Sequence, residues 1–299
     1  MTKNTKPTVP AKIWREIKRL FLKRWRAEQP TEVSCESRFE ANLQILKDHG
    51  IVVLSDRDHS IKIKTKEGFT FCIRANSTDI PVVQEFFCEY GYAFKNNRNE
   101  QTIVIDVGMN IGISSVYFAS MENVKHVFSF EPFTPTYNRA LENIKLNPTL
   151  AGKITAFSIG LGNENKILEI PYNRDFAGNM STTIDRMNFQ YRDKEGILEK
   201  VEVKNAGEIL STILASHSTK RVILKIDTEG AEFDILESLD SAGLLPKIDF
   251  VMMEYHFREP QFLEDVLTKN GYIVIYRHYG YLEGSPFGFL YGANIGKQT

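Results

Sequence analysis

From residue 101 onward the chain alternates between short apolar runs and amphipathic stretches. Thr102–Val107 is almost continuously apolar, the pattern of a strand buried on both faces. It is followed by a helical pattern over Ile113–Met121, a strand at His126–Phe130, a helix at Pro135–Asn147 and a strand at Ile154–Ile159. After an interruption the rhythm resumes with strand Val222–Ile226, helix Ala231–Ser238, strand Phe250–Met253, helix Gln261–Lys269 and strand Tyr272–Tyr276. A last strand falls within Phe287–Tyr291. Repeated strand–helix units predict an α/β fold, a doubly wound Rossmann-like sheet with helices on both faces. In such sheets ligands sit beyond the carboxyl ends of the strands.

The rest of the chain is organised around that sheet. Residues 161–218 form an insert, with a hairpin around Lys166–Pro171, a polar loop over Asn173–Asp185, a strand at Leu198–Val203 and a helix near Gly207–Ala215. Residues 31–100 predict a small α+β region: a helix over 37–50, strands at Ile51–Leu54 and Ser60–Ile73 with a turn at Lys66-Glu67-Gly68, and a helix over Asp79–Tyr92. Residues 12–26 place Ile13, Trp14, Ile17, Leu20, Phe21 and Trp25 at helical spacing among basic residues. The expected parts are therefore a basic amphipathic helix within 1–30, an accessory region over 31–100 and a catalytic-type domain over 101–299.

Charge sharpens that division. The 299 residues carry 37 basic and 38 acidic groups, a net −1. Residues 1–26 hold nine of the basic groups and one acid, Glu16, which leaves 28 basic and 37 acidic groups elsewhere, a net −9. An acidic body of this kind excludes a general nucleic-acid binder, which needs a basic face for phosphates. The basic helix suits either peripheral contact with anionic lipid or packing on the acidic body or a partner. With 42% hydrophobic and 25% charged residues the chain is globular. No apolar run approaches the roughly 18–20 residues of a membrane span. Cys35, Cys72 and Cys88 are too few and too dispersed for a disulfide framework or a zinc site. A cytoplasmic location, at most peripheral at the inner membrane face, is the expectation.

The most specific chemistry follows the first strand. Asp106-Val107-Gly108-Met109-Asn110-Ile111-Gly112 opens a helix, and its glycines permit a tight turn against a ligand. A dinucleotide loop would read G-x-G-x-x-G after an apolar strand end. Here an acid ends the strand and Asn110 replaces the middle glycine. A carboxylate repels a pyrophosphate and attracts a sulfonium or an amine. That favours S-adenosylmethionine over NAD. Glu131, 25 residues after Asp106, ends the second strand and suits ribose hydroxyls, and Pro132 holds the following residues extended. Asp106, Gly108, Asn110, Gly112, Glu131 and Pro132 are the predicted cofactor residues.

IDVGMNIG, FEPFTPTYNRALENIKLN and LKIDTEGAEFDILESL together resemble the FkbM family of S-adenosylmethionine-dependent methyltransferases, over about Val104 to Tyr276. The resemblance implies a class I methyltransferase sheet and O-methylation of a sugar, glycan or secondary metabolite. The chain departs from the family pattern at Asn205-Ala206-Gly207-Glu208.

The acceptor side is read from the ends of the later strands. Asp227 and Glu229 crowd one turn after Lys225-Ile226, with Gly230 allowing a sharp bend and Glu232 in the first helical turn, where the dipole accounts for an acid. Glu254 and His256 share a face at the end of the next strand. Asp227, Glu229, Glu254 and His256 are the predicted catalytic residues, with Asp227 or His256 as the base. Alternatively Asp227 and Glu254 hold Mg²⁺ that acidifies a diol. The Asn173–Thr183 loop is the candidate lid. Competing functions are an NAD-dependent oxidoreductase or epimerase, and a non-catalytic cofactor-binding protein.

Overall fold

The computed structural model describes residues 35–57, 60–74, 78–89, 92, 100–172, 180–182, 197–282 and 285–296. The expected basic helix at 12–26 and most of the candidate lid lie outside the described residues. Helix α1 (Cys35–Asp48) comes first, then the antiparallel strands β1 (Val52–Arg57), β2 (Ser60–Lys64) and β3 (Thr70–Arg74). The strands and turn expected over Ser60–Ile73 are the β2–β3 hairpin, turned at Gly68 with φ +97°. Helix α2 (Asp79–Gln84) continues into a π-helical turn at Glu85–Glu89. One α-helix was expected over this stretch. The wider turn accompanies burial of the adjacent Phe86 and Phe87: Phe86 packs on Tyr92 and Phe118, and Phe87 on Phe69 and Phe71.

The central sheet is built from β4 (Thr102–Val107), β5 (Val124–Phe130), β6 (Ile154–Phe157), β10 (Arg221–Ile226), β11 (Phe250–His256), β12 (Tyr272–Leu282) and β13 (Ser285–Asn294). Their order is β12-β13-β11-β10-β4-β5-β6. All six residues of β4 are buried, as its apolar run requires. β4 pairs in parallel with β5 on one side and β10 on the other. The winding reverses between β4 and β10, so a crevice opens beyond their carboxyl ends. Helices α3 (Ile113–Ser120), α4 (Thr134–Lys145), α5 (Pro148–Ala151), α6 (Ala206–Ser216), α7 (Glu232–Ser241) and α8 (Gln261–Lys269) connect the strands. Within the insert β7 (Gly160–Gly162), β8 (Lys166–Tyr172) and β9 (Ile197–Asn205) form a second small sheet. At the atypical Asn205–Glu208 segment, the Asn205 side chain caps α6 by accepting from the Glu208 N–H at 3.0 Å.

The far edge differs from the sequence reading in length and direction. β12 and β13 form an antiparallel hairpin of 11 and 10 residues, and β13 inserts between β12 and β11, antiparallel to both. Beyond Tyr276 the residues Arg277, His278 and Tyr279 show no apolar alternation, and cross-strand backbone pairing extends the strand there. Among the described residues no helix is long and apolar enough to cross a membrane.

Two asparagines of the α4 region stitch the small sheet to the large one. Asn143 is fully buried. Its Oδ1 accepts from the Cys72 N–H at 2.7 Å, while Nδ2 donates to the Cys72 carbonyl at 3.2 Å and the Ile111 carbonyl at 2.9 Å. Asn147 repeats the clamp on Thr70, accepting at 3.0 Å and donating at 2.8 Å. The edge of β3 is therefore paired by side-chain amides, and the same Asn143 steadies the glycine loop. An unpartnered buried backbone group costs about 1–3 kcal/mol. Asn143→Leu strips partners from Cys72 and Ile111 and should lower unfolding free energy in urea by about 3 kcal/mol. A loss under about 1 kcal/mol would show that the clamp is not holding the two sheets.

Candidate active site

The loop after β4 is folded by contacts that only its own sequence permits. Gly108 has φ +81°, and a Cβ there would lie 1.8 Å from the Asp227 carbonyl oxygen. The Gly108 and Met109 N–H groups both donate to the Phe130 carbonyl at 3.0 Å. Asn110, with φ +50°, donates its N–H to Glu131 Oε2 at 3.1 Å, and the Phe133 N–H reaches Glu131 Oε1 at the same distance. Glu131 thus braces the loop with one lone pair of each oxygen and keeps the others for a ligand. Burial lifts its pKa to about 7 against the two backbone donors that favour the charged form. Gly112 is not among the residues that line the cleft. At φ +85° it allows α3 and α4 to approach, since a Cβ would meet the Ala140 backbone at 3.1 Å.

Asp106 is also placed differently from the reading that set it beside a cationic ligand. It is fully buried and faces into the sheet. Its Oδ2 accepts from the hydroxyls of Ser114 and Ser115 at 2.7 Å each, and Oδ1 lies 3.3 Å from the Lys225 ammonium. The register explains this: Lys225 of β10 is the direct neighbour of Asp106 in β4. Asp106 shapes the loop from behind.

The cleft itself opens beyond the carboxyl ends of β4, β5 and β10, where such sheets take their ligands. Gly108, Asn110, Glu131, Pro132 and Phe133 line it together with Asp227, Thr228 and Glu229. Leu161 of the insert and Met180 and Thr182 of the candidate lid also line it. Asn110 Oδ1 and Thr228 Oγ1 are buried in these walls without a hydrogen-bond partner among the described residues. A nucleoside-like ligand fits this set: a diol for Glu131, polar groups for Asn110 and Thr228, and apolar contact from Pro132, Phe133 and Leu161.

At the turn after β10 the acids crowd together. Lys225 is buried, donating to the Gly108 carbonyl at 2.5 Å and lying 3.7 Å from Asp227 Oδ2. Burial opposes its charge, but Asp106 and Asp227 outweigh that and raise its pKa. The Tyr92 hydroxyl donates to Asp227 Oδ2 at 3.1 Å. Glu229 has φ +54°, a strained conformation for a residue other than glycine. Glu232 accepts from the Thr228 and Gly230 N–H groups at 3.2 and 3.0 Å and from His256 Nδ1 at 3.0 Å. His256 Nε2 lies 3.6 Å from Glu229 and 3.8 Å from Glu254. Glu85, Asp227 and Glu254 bring carboxylate oxygens within 4.8 Å of one another, as do Asp227 and Glu229 with a His256 nitrogen.

This crowding decides who holds protons. Burial lowers the His256 pKa, but Glu229, Glu232 and Glu254 reverse it and carry the imidazole well above its usual value. Acids on three sides thus favour the protonated imidazole. Burial raises Glu229 to about 7 against the pull of His256. Burial and Asp227 raise Glu254 well above the usual carboxylate range. The four predicted catalytic residues are brought together, Asp227 and Glu229 on the cleft wall with His256 and Glu254 beside them. Lys225, Tyr92 and Glu85 had no role in the sequence reading. A lysine inside the apolar run Val222–Ile226 was the available signal for the first.

The protonation pattern has a thermodynamic consequence. Glu131 and Glu229 rise from 4.5 to about 7 on folding, so the folded state retains protons that the unfolded state releases. Their effect lowers stability as pH climbs from 4.5 to about 7. His256 is raised above 6.5, so its contribution is full below that value and is lost as pH climbs through the folded pKa. All three act in one direction. Calorimetric melting should show higher stability near pH 5.5 than near pH 8, and Glu229→Gln should flatten the slope below pH 7. An unchanged slope in that variant would remove Glu229 as a proton holder.

The comparisons with known proteins point to the same chemistry. Residues 106–274, more than half of the chain, match the family model described as the methyltransferase FkbM domain. Methyltransferase sdnD of Sordaria araneosa is 28% identical over 178 residues, covering 53% of this chain and 68% of sdnD. The AMB antimetabolite synthetase AmbE of Pseudomonas aeruginosa is 28% identical over 248 residues, covering 71% of this chain but 11% of AmbE. A crystal structure of methyltransferase FkbM from Methylobacillus flagellatus aligns with 16% identity and a TM-score of 0.43, over 72% of this chain and 52% of that one. The glycine loop, the braced Glu131 and the acid-rich turn after β10 all fall inside the matched segment, and by that match the chain belongs to the FkbM methyltransferase family.

Proposed function

We propose that this methyltransferase transfers a methyl group from S-adenosylmethionine to a hydroxyl of a sugar, glycan or small secondary metabolite. The observation that carries this reading is Glu229. It lines the same cleft as Glu131, is held in a strained backbone conformation, and has a pKa near 7, where a general base works best at neutral pH. One relative, similar over 11% of its length, is named an antimetabolite synthetase, which supports a small-molecule acceptor.

When bound, S-adenosylmethionine supplies an electrophilic methyl group on a sulfonium. Glu131 would hold ribose hydroxyls of the donor through its remaining lone pairs, and Asn110 and Thr228 would receive polar groups of the same ligand. Asp227 would offer a carboxylate to its cationic end. Glu229 would take the proton that the acceptor hydroxyl gives up as its oxygen receives the methyl group and the donor leaves as a neutral thioether. His256, anchored by Glu232, keeps Glu229 from rising further. Burial and Asp227 hold the Glu254 pKa above the usual carboxylate range. We read Asp227 as engaged by the donors Tyr92 and Lys225, in preference to holding Mg²⁺.

Titration calorimetry should detect S-adenosylmethionine and not NAD; the reverse would overturn the reading. In an acceptor screen with radiolabelled methyl donor, Glu229→Gln should bind donor normally and lose about 10²–10⁴-fold in transfer rate. The wild-type rate should rise with pH through about 7. Excess EDTA should leave it unchanged, and restoration by added Mg²⁺ would instead favour the metal reading.

A further inference from the structure

Tyr92 lies ahead of the family segment, which begins at residue 106, yet its hydroxyl ends at the cleft. The side chain is fully buried. Its ring stacks on Phe86 with centroids 4.9 Å apart and meets Phe289 edge-on at 4.7 Å. The Lys225 ammonium sits 5.5 Å above the same ring. Packing on three sides fixes where the hydroxyl points, and it points at Asp227 Oδ2, 3.1 Å away. Lys225 approaches that oxygen too, at 3.7 Å.

Asp227 is consequently held by one oxygen on its closed side. A carboxylate is planar, so pinning Oδ2 fixes the direction of Oδ1. Among the described residues Oδ1 has no hydrogen-bond partner, and the side chain is 25% exposed on the cleft wall. Burial and the neighbouring Asp227 both raise the Tyr92 pKa well above 10.0, so the hydroxyl remains a donor throughout the working pH range.

We propose that Tyr92 is a positioning residue that aims the Asp227 charge at the sulfonium, so that the protein prefers the cationic methyl donor to the neutral thioether product. The inference rests on the donor reading above and deepens it. Methyl transfer turns a sulfonium into an uncharged thioether. A carboxylate fixed toward that sulfur attracts the donor and not the product, which favours product release. An unfixed Asp227 could swing toward Lys225 and lose that discrimination.

The test is titration calorimetry on the full chain, with S-adenosylmethionine and S-adenosylhomocysteine as the two probes. Wild type should bind the donor more tightly than the product. Tyr92→Phe keeps the ring and removes the hydroxyl; it should weaken donor binding about fivefold to tenfold and change product binding less than about twofold. Asp227→Asn should erase most of the preference, and adding Tyr92→Phe to it should have no further effect on the ratio. A merely structural role predicts equal weakening for both probes, or the same loss in the Asp227→Asn background, and either result overturns the proposal. So does an unchanged ratio in Tyr92→Phe. If that variant fails to fold, a donor preference that survives in Asp227→Asn is equally fatal. Wild type that binds neither probe would sink the donor reading itself, a distinguishable failure.

Discussion

Lys225 places a positive charge in the middle of the central sheet, where water cannot hydrate it. Burying an ammonium costs several kcal/mol unless partners replace the lost water. Here the replacements are the Asp106 carboxylate at 3.3 Å, the Asp227 carboxylate at 3.7 Å and the Gly108 carbonyl at 2.5 Å. Those three groups belong to the end of β4, the loop after it and the turn after β10, the structures that form the cleft. Neither can shift without exposing a buried charge. The Gly108 requirement has the same origin: the loop must lie against the Asp227 carbonyl for its own carbonyl to reach the ammonium. One cation therefore sets the width of the crevice at the point where the sheet reverses.

The burial that makes Lys225 depend on its acids also makes the surplus acids depend on protons. Asp106 and Asp227 share Lys225, and Glu232 holds His256. Glu229 and Glu254 remain, with the edge of the His256 ring between them. Low dielectric penalises their charged forms, and both rise. The acids of the cleft therefore differ in surroundings: Asp227 is held by Lys225 and Tyr92, while burial drives Glu229 to about 7 and Glu254 above the usual carboxylate range. Groups set apart in this way suit a reaction in which one must attract a cation and another must accept a proton.

Local pattern made the strands of the sheet, the glycine loop and Glu131 readable, because strand burial and the 25-residue spacing are properties of contiguous sequence. What pattern could not give is which acid faces the ligand. Asp106 looks like a ligand residue at a strand end, but its direction depends on β10 being the neighbour of β4, a pairing between segments over a hundred residues apart. His256 read as a base because a lone histidine titrates near neutrality. Three acids on two other elements and its own strand change that, and no window of sequence contains them all. Tyr92 and Asp227 are 135 residues apart, and the Asn143–Cys72 clamp spans 71. The doubled strand length at β12 and β13 was hidden for a related reason: pairing by backbone leaves no trace in side-chain polarity.

These long-range contacts also change how the accessory region is understood. Composition and periodicity divide the chain near residue 100, yet the polar ties cross that point in both directions. Asn143 and Asn147 close the edge of β3 with amides from α4, and Tyr92 closes the back of Asp227 with a phenol from the preceding region. Amide and phenol donors are directional, so each fixes an orientation as well as a distance. Apolar contact between Phe86, Tyr92 and Phe289 supplies the adhesion that holds those orientations. The accessory segment is thus part of the electrostatic frame of the site, and the geometry of Asp227 is determined from outside the segment that defines the family.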